Sequence, residues 1–313
     1  MVCQCTINAI AYGAIGIIAF KVLTTLYNIV YPFLIAPAQD LHKLAGGAKW
    51  AVVTGSTDGI GKAYATELAK KGFNLLLVSR TQSKLDETKA EIAAASPNVE
   101  IRTLAFDFTN PSVADYQAKL VSEIEKIDVG VLVNNVGLSY EYPEVLHKVD
   151  GGLKRLADIT IINTLPTTVL SAAVLPQMVE RKKGVVINIS SSASYSVMAL
   201  WAVYSATKKY VCHFSDCIRN EYATSGITVQ TVCPMMVSTK MSKVRTSFFA
   251  PTPGPYVKSA IRTIGNAAET TGCLAHQIQA LVFNLPQFIL AQIVDKNSYA
   301  TRAAALRKRA KNQ

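Results

Sequence analysis

Charged residues are scarce in this chain of 313 residues: they make up 17% of it, whereas 50% of the residues are hydrophobic. Such a composition is apolar for a cytosolic enzyme, and the apolar excess lies near the two ends of the chain. The sequence also lacks an internal repeat, a low-complexity tract and a linker to a second domain. Because roughly 250 residues suffice for one α/β domain, we expect one such domain flanked by apolar segments.

Cysteine is present without a pattern. The spacing of the six cysteines fits neither a disulfide framework nor a zinc site, so we expect free thiols in a reducing compartment and no metal site. The two that precede the first hydrophobic run leave palmitoylation as an alternative. The six are Cys3, Cys5, Cys212, Cys217, Cys233 and Cys273.

The net charge of +11 is not gathered into one dense surface motif. Lysine and arginine are scattered, except for Arg307-Lys308-Arg309 and Lys311 near the C-terminus. No recognisable nucleic-acid module accompanies the charge, so we expect no nucleic-acid binding. Anionic membrane surfaces and phosphorylated ligands fit a basic protein of this kind.

The first part of the chain predicts a membrane anchor. Residues 7–20 carry no charge, Lys21 interrupts, and residues 22–36 continue without charge. A spanning helix needs about 20 apolar residues, so the extension past Lys21 is required, and its side chain can snorkel to the interface. A cleaved signal peptide fits less well, since no basic region precedes the run. The lysines that follow, from Lys43 onward, predict a cytosolic location for the domain after the anchor.

Strand-like and helix-like patterns alternate from Lys49 onward. Continuous apolar strands joined by helices predict an α/β fold, a Rossmann-type doubly wound parallel sheet with helices on both faces. Predicted strands are 50–53, 73–78, 101–106, 129–133, 184–189 and 227–232, and predicted helices are 83–95, 112–126, 152–181 and 201–224. We divide the chain into an anchor with its juxtamembrane segment (1–42), a dinucleotide-binding core (43–240), and a substrate-side loop with an apolar helix region and basic tail (241–313).

Two segments near the C-terminus remain open to more than one interpretation. After Val237 the chain looks irregular, with Pro251, Pro253 and Pro255 close together, and forms either a substrate-side lid or a surface connection. Leu281–Ile293 is apolar but is interrupted by Pro286. It is too short for a confident span, and of an interfacial helix, a core helix and a partner surface we favour the first.

A glycine-rich turn directly follows the first strand. Glycine permits a tight turn and close approach to a pyrophosphate, and the N-terminus of the following helix favours negative charge. The spacing is Gly-x₃-Gly-x-Gly rather than the commoner Gly-x-Gly-x₂-Gly. It therefore predicts a dinucleotide site formed by Thr54-Gly55-Ser56-Thr57-Asp58-Gly59-Ile60-Gly61.

The residues that follow the second, third and fourth strands indicate which dinucleotide binds. Arg80 follows the second strand, where an acidic residue would select NAD; a guanidinium suits the 2′-phosphate of NADPH, and Lys84 is placed to assist. Asp107, after the third strand, is placed to meet the adenine amino group. After the fourth strand come Asn134-Asn135-Val136-Gly137, in which the asparagines can hold neighbouring strands and Gly137 lets the cofactor ribose approach.

Tyr204 and Lys208 carry the sharpest chemical signal. Residues at i and i+4 lie on one helix face. A phenol has a pKa near 10, and an adjacent ammonium lowers the pKa by stabilising the phenolate. Ser191 ends the strand before this helix, and its hydroxyl is suited to polarising a carbonyl. Lys208 can also bond the nicotinamide ribose.

Together these motifs resemble those of the classical short-chain dehydrogenases/reductases over about Lys49 to Val237. The resemblance implies that Ser191 polarises the carbonyl, Tyr204 is the general acid and Lys208 activates the phenol. It further implies that Asn163 holds a water of the proton relay and that Thr239 meets the nicotinamide carboxamide. The family often has Pro-Gly after the sixth strand, and here Pro234-Met235 stands instead.

Within that family the chain is similar to the membrane-bound very-long-chain 3-oxoacyl-CoA reductases, which are related to the type 12 17β-hydroxysteroid dehydrogenases. Asn135-Val-Gly137 with Tyr140-Glu-Tyr-Pro143, Val237-Ser-Thr-Lys-Met241, a helix at 257–260 and Thr301-Arg302 carry this similarity. It implies NADPH-dependent reduction of 3-oxoacyl-CoA in fatty-acid elongation, beside elongase components. Alternatives are a steroid dehydrogenase and a non-catalytic, cofactor-binding scaffold of an elongase assembly.

Two further expectations follow from this resemblance. The ending Arg309-Ala-Lys311-Asn-Gln resembles a cytosolic dibasic retrieval signal and implies residence in the endoplasmic reticulum membrane. Pairing through the helices at 152–181 and 201–224 implies a homodimer.

Overall fold

A seven-stranded, all-parallel sheet forms the centre of the protein in a computed structural model that describes residues 3–311. The strand order is β3-β2-β1-β4-β5-β6-β7. This confirms the doubly wound α/β fold. The strands are β1 (Trp50–Thr54), β2 (Asn74–Ser79), β3 (Ile101–Ala105), β4 (Val129–Asn134), β5 (Gly184–Ile189), β6 (Ile227–Val232) and β7 (Glu269–Thr270).

Eleven α-helical segments connect and flank these strands in the described part of the chain. Two of them continue into π-helical turns, at Tyr31–Ile35 and Tyr116–Val121. The helices are α1 (Gln4–Val30), α2 (Leu41–Leu44), α3 (Gly59–Lys70), α4 (Gln82–Ala95), α5 (Val113–Asp115), α6 (Ser122–Ile124), α7 (Gly152–Arg181), α8 (Ala202–Glu221), α9 (Pro253–Arg262), α10 (Leu274–Gln279) and α11 (Gln287–Ala310).

Each face of the sheet has its own apolar core, because alternate side chains of a strand point to opposite faces. On one face Val53 and Val131 pack with Tyr64 of α3 and Tyr256 of α9. On the other face Val52 and Leu132 pack with residues of α7, such as Leu170 and Val174. Strands that are buried on both faces explain why the sequence shows continuous apolar runs rather than alternation.

The order of the strands reverses at β1, which pairs with β2 on one side and β4 on the other. A crevice opens at such a switch point beyond the carboxyl ends of the strands, and ligands of open α/β sheets bind there. The glycine turn after β1 and the asparagines after β4 both lie at this crevice.

Helix α1 stands apart from the sheet. Its 27 residues reach about 40 Å at 1.5 Å per residue, and none of them is buried. The helix with its π-helical turn is a candidate membrane span by length and composition. Helix α7 passes the same test, but it is a core helix whose Leu170 and Val174 are fully buried.

The segment between α1 and β1 packs onto the α/β domain. Phe33, Ala36, Leu41 and Ala45 are buried. The Asn266 amide donates to the carbonyl of Pro37 at 2.8 Å. The end of the anchor is therefore tied to the domain.

Three features near the C-terminus differ from the sequence-based expectation. The proline-rich stretch predicted to be irregular begins helix α9 at Pro253, because proline suits the first turn of a helix. The two-residue strand β7 extends the sheet beyond β6. The apolar stretch broken at Pro286 continues as α11 as far as Ala310, with Pro286 immediately before its first turn.

Candidate active site

The glycine turn after β1 adopts a conformation that only small residues permit. Gly55 and Gly59 have positive φ angles of 63° and 55°, a region that favours glycine. A methyl group on Gly61 would fall well inside van der Waals contact of the Asn135 amide and the Gly55 carbonyl. The turn thus packs tightly under the start of α3, with Asp58 capping that helix by accepting from the Gly59 N–H at 2.8 Å.

The asparagines after β4 hold the neighbouring strands together, as the sequence suggested. The Asn135 amide donates to the Thr54 carbonyl at 2.9 Å, and the Thr54 hydroxyl accepts from the Asn135 N–H at 2.9 Å. Asn134 donates to Asn188 on β5 at 2.9 Å, and Asn188 donates to Ser215 on α8 at 2.9 Å. These bonds fix the crevice floor from β1 across to α8.

The residues predicted to select the dinucleotide lie along the rim of the crevice. Arg80 and Lys84 are exposed. Ser79, directly before Arg80, shares a 3.0 Å hydroxyl–hydroxyl hydrogen bond with Thr57 of the glycine turn. Asp107 is exposed, and its Oδ1 accepts from the N–H and the hydroxyl of Thr109 at 3.0 and 2.9 Å. A second carboxylate oxygen of Asp107 remains for another donor.

Ser191 and Tyr204 come together above the end of β5. The Ser191 hydroxyl accepts from the Ala193 N–H at 3.2 Å, which orients a short 3₁₀ turn. The Ser191 hydroxyl lies close enough to the Tyr204 phenol to lower the pKa of the phenol. This places two hydroxyl groups side by side, an arrangement that can bind a single carbonyl oxygen.

Lys208 lies beneath Tyr204, where the sequence predicts that its ammonium lowers the pKa of the phenol. Its Nζ donates to the Ile189 carbonyl at 3.0 Å and lies 5.9 Å from the centroid of the Tyr204 ring. Burial raises the pKa of Tyr204, which the nearby Ser191 hydroxyl partly opposes, and burial lowers the pKa of Lys208 to about 8. In the protein by itself, desolvation is therefore the largest influence on the pKa of the phenol.

Asn163 lies next to this pair, and its amide makes contacts within the protein. Its Oδ1 accepts from the Leu138 N–H at 2.8 Å, and its Nδ2 donates to the Leu138 carbonyl and the Thr207 hydroxyl at 2.9 and 3.0 Å. A methyl group on Gly137 would lie 3.0 Å from Asn163 Oδ1 and 3.4 Å from Lys208 Nζ. The amide therefore positions the loop after β4 against α8, and its expected role in holding a water stays a prediction.

Thr239 lies over the glycine turn from the opposite side. A Cβ on Gly59 would be 3.3 Å from the Thr239 methyl group. The Thr239 hydroxyl accepts from the Ser242 N–H at 3.2 Å, and Lys240 reaches Asp58 at 3.7 Å. The loop after β6 and the glycine turn thus form the two walls of the crevice.

His276 supports the loop that contains Met235, a role the sequence did not reveal. The fully buried ring accepts from the Met235 N–H through Nδ1 at 3.3 Å and pairs through Nε2 with the Met236 carbonyl at 3.2 Å. Burial lowers the pKa of His276. A neutral imidazole with its proton on Nε2 satisfies both contacts.

Helix α11 is tied to the substrate side of the crevice by ion pairs that link distant parts of the sequence. The buried Glu144 carboxylate accepts from Arg302 at 2.7 and 2.9 Å. Asp295 accepts from the Ala199 N–H at 3.3 Å. Arg309 pairs with Asp150. Of the residues in the tail that resembles a retrieval signal, Arg309 is thus engaged, and the last two lie outside the described residues.

Two cysteines that are distant in sequence meet behind the site. The Sγ atoms of Cys212 on α8 and Cys233 after β6 are 3.6 Å apart, and both thiols are free. Their ligand atoms and that of Glu269 lie within 4.8 Å of one another. The spacing of these cysteines along the chain does not predict this proximity.

Comparison with known proteins gives the site its context. Residues 49–248 match the short chain dehydrogenase family. A very-long-chain 3-oxoacyl-CoA reductase of Caenorhabditis briggsae is 58% identical over 99% of this chain and 98% of its own length. The chain belongs to the short-chain dehydrogenase family.

Two other similar proteins bear on the chemistry. A Caenorhabditis elegans protein provisionally named a steroid dehydrogenase is 50% identical over 94% of this chain and 96% of its own length. The structure of a short-chain dehydrogenase from Sphingobium yanoikuyae in complex with NADPH has a TM-score of 0.63 and 26% identity, covering 76% of this chain and 97% of that one.

This family member is an oxidoreductase that interconverts a carbonyl and an alcohol, and it uses a nicotinamide cofactor. The crevice fits such a cofactor: the glycine turn leaves its backbone open at the N-terminus of α3, an arrangement suited to a pyrophosphate. Helix α1 gives the protein the means to associate with a membrane.

Proposed function

We propose that the protein reduces very-long-chain 3-oxoacyl-CoA to 3-hydroxyacyl-CoA with NADPH, as a step of fatty-acid elongation. The observation that carries the proposal is the 58% identity over 99% of the chain to a reductase of that name. The neighbouring hydroxyl groups of Ser191 and Tyr204, with Lys208 beneath them, form a site that suits a ketone oxygen.

The side chains divide the work of the reduction. Bound NADPH supplies the hydride that reaches C3 of the substrate. Ser191 donates a hydrogen bond to the carbonyl oxygen, and Tyr204 gives its proton to that oxygen as negative charge develops there. Lys208, charged below a pH of about 8, bonds the nicotinamide ribose and stabilises the phenolate that Tyr204 leaves behind.

Other residues of the crevice orient the two reactants. Asn163 fixes the loop that contains Gly137 against α8. Thr239 binds the nicotinamide carboxamide, and residues 55–61 bind the pyrophosphate through backbone N–H groups.

Side chains at the rim of the crevice support a preference for NADPH. Arg80 follows β2, where its guanidinium can bind a 2′-phosphate in a bidentate way, and Lys84 adds charge one turn later. Asp107 receives the adenine amino group. Because an acidic residue is absent after β2, the free 2′-hydroxyl of NADH has no acceptor there.

The proposed location is the endoplasmic reticulum membrane, with the catalytic domain in the cytosol. Lys43, Lys49 and Lys62 follow α1 and favour this orientation. The long acyl chain can then stay near the bilayer while the anionic CoA meets a protein of net charge +11.

Turnover by the full-length protein in proteoliposomes tests the proposal. A series of 3-oxoacyl-CoA thioesters of increasing chain length is compared with a panel of ketosteroids, each with NADPH and with NADH. We expect the highest kcat/KM for a long-chain thioester with NADPH. Turnover of estrone without turnover of any thioester would instead establish the steroid dehydrogenase, which the 50% identical relative keeps as the second candidate.

A non-catalytic scaffold beside elongase components is the alternative from another class. The assembled Ser191, Tyr204 and Lys208 oppose it, and full function of Tyr204→Phe in cells would support it. A homodimer through α7 and α8 is also proposed. It is supported by a mainly apolar surface cavity of about 400 Å³ on these helices, which Val203 and Tyr210 help to line.

A further inference from the structure

Near its C-terminus the chain contains a long segment without charge, and the structure leaves much of it uncovered. Between Glu269 and Asp295 there is no lysine, arginine, aspartate or glutamate. A soluble protein would bury the apolar side chains of such a segment. Here six of them remain 37–70% exposed, and we call them the C-terminal apolar surface: Ile278, Leu281, Leu285, Phe288, Ile289 and Ile293.

This surface is rigidly attached to the catalytic domain. Leu290, in the same turns of α11, is fully buried, and Asp295 binds the Ala199 backbone. The Phe283 ring packs edge-on against Tyr195 at 5.1 Å, four residues after Ser191. The exposed apolar side chains are therefore held in place by inward-facing neighbours rather than displayed on a loose tail.

The C-terminal apolar surface adjoins the C-terminal end of α1. Thr25, Asn28 and Ile29 of α1 line one cavity of about 310 Å³ together with Leu281 and Phe283. Helix α1 thus meets the domain at the C-terminal apolar surface.

We infer the end of the membrane span from the first turn of α1 that the domain covers. Every residue from Gln4 to Leu23 is exposed, whereas Thr24 and Thr25 are half-buried against the domain. Twenty residues at 1.5 Å each give about 30 Å, the thickness of a bilayer's hydrocarbon core. Lys21 then lies in the last turn of the span, from which its ammonium can reach the headgroups.

The C-terminal apolar surface therefore lies at the membrane interface. Thr25 to Ile29 follow Leu23 by two to six residues, which is about 3–9 Å along the helix axis. Apolar faces of interfacial helices are buried about 5–10 Å into the boundary between headgroups and acyl chains. The start of this stretch therefore lies in the headgroup region at which interfacial helices bind.

A neighbouring hairpin extends the same side of the molecule. Phe248 and Phe249 are 71% and 45% exposed at a turn closed by the Ser247–Ala250 bridge. The ring of His276, on α10, lies near the Phe249 backbone. The hairpin thereby adds two phenylalanine side chains next to α10, and phenylalanine is common on the apolar faces of interfacial helices.

We propose that the C-terminal apolar surface inserts into the interface of the leaflet that α1 leaves, so that the catalytic domain is seated on the bilayer at two places. The partner is the lipid surface itself, because the surface is continuous with a membrane-spanning helix. The seating directs the Tyr195–Phe283 contact, and with it the side of the site near Ser191, toward the acyl chains.

Fluorescence quenching by lipids with brominated acyl chains tests the contact in the full chain. Phe288→Trp reports on the surface, Ile15→Trp in the middle of α1 is the positive control, and Val113→Trp, exposed at the start of α5, is the negative control. The wild-type emission of Trp50 and Trp201 is subtracted. The proposal predicts that Phe288→Trp is quenched by the lipid almost as strongly as Ile15→Trp and several-fold more than Val113→Trp.

Two outcomes would overturn the proposal. Quenching of Phe288→Trp by aqueous acrylamide as strong as that of Val113→Trp would show that water covers the surface. Protection of Phe288→Trp from both acrylamide and brominated lipid would show that a protein, such as a second copy of the chain, covers it.

An activity measurement, which rests on the proposed function, follows the consequence for the substrate. Phe288→Glu leaves the crevice residues untouched, so we expect an unchanged kcat/KM for a short, water-soluble 3-oxoacyl-CoA and a several-fold higher KM for a membrane-partitioned, long-chain thioester. If Phe288→Glu and the wild type had the same KM for the long thioester, contact of this surface with the bilayer would have no part in substrate access. Because quenching needs no turnover, failure of the proposed activity leaves the lipid-contact test intact.

Discussion

Gly61→Ala tests whether the glycine turn is as tightly packed as the structure shows. The added methyl group meets two fixed atoms at once, the Asn135 amide nitrogen and the Gly55 carbonyl oxygen. Neither is the end of a flexible chain, since Asn135 is bonded to Thr54 and Gly55 is backbone. The turn must therefore open.

The expected cost follows from these contacts. Overpacking costs about 1–3 kcal/mol, and loss of the Asn135–Thr54 hydrogen bond adds about 1 kcal/mol. We expect the free energy of unfolding to fall by about 2–4 kcal/mol. The backbone that would bind the pyrophosphate moves as well, and each 1.4 kcal/mol of lost binding energy weakens coenzyme affinity about tenfold, so we expect the Kd for NADPH to rise at least that much.

Gly254→Ala is the matched control. Gly254 lies in the first turn of α9, and an added methyl group there meets nothing within 4 Å. Alanine in place of a helical glycine stabilises by up to about 1 kcal/mol. Chemical denaturation and coenzyme titration of both variants decide the matter. If Gly61→Ala matched Gly254→Ala in stability and in coenzyme affinity, the packing argument for the turn would be refuted.

Three further predictions address cofactor choice and pH. Arg80→Asp should reduce the preference for NADPH over NADH, measured as the ratio of the two kcat/KM values. An unchanged ratio would show that Arg80 does not select the coenzyme. Because burial lowers the pKa of Lys208 to about 8, NADPH affinity should weaken as pH rises through 8, whereas Lys208→Arg, whose guanidinium stays charged, should show no such break. Burial also lowers the pKa of His276. As pH falls, the unfolded chain therefore binds the proton before the folded protein does. The stability that the neutral ring supplies is complete above about pH 6.5 and declines as pH falls below it. Thermal unfolding of wild type and His276→Gln between pH 7.5 and 5.5 should show that extra acid sensitivity only in the wild type, and parallel curves would contradict it.

The sheet and the central site residues could be predicted from the sequence because their signals are local. β6 was predicted with its observed bounds, Ile227–Val232, since a strand buried on both faces reads as an unbroken apolar run. Tyr204 and Lys208 lie on one helix face by spacing alone. Their association with Ser191 followed from its place at the end of a strand.

Other features depend on contacts that no local pattern encodes. Glu144 and Arg302 are 158 positions apart, and His276 reaches the loop after β6 from 41 positions away. β7 has only two residues, too few to show periodicity. The pKa of Tyr204 depends on how deeply the crevice buries it, which spacing along a helix does not reveal.

Tyr204→Phe in the full-length protein, reconstituted in lipid and supplied with NADPH and a long-chain 3-oxoacyl-CoA, tests the central claim most directly. The substitution removes only the phenol's oxygen, and general acid catalysis contributes about 10²–10⁴-fold. We predict that kcat/KM falls by that factor while the Kd for NADPH stays unchanged. Wild-type protein without thioester reductase activity, or a variant that retains it in full, would contradict the account.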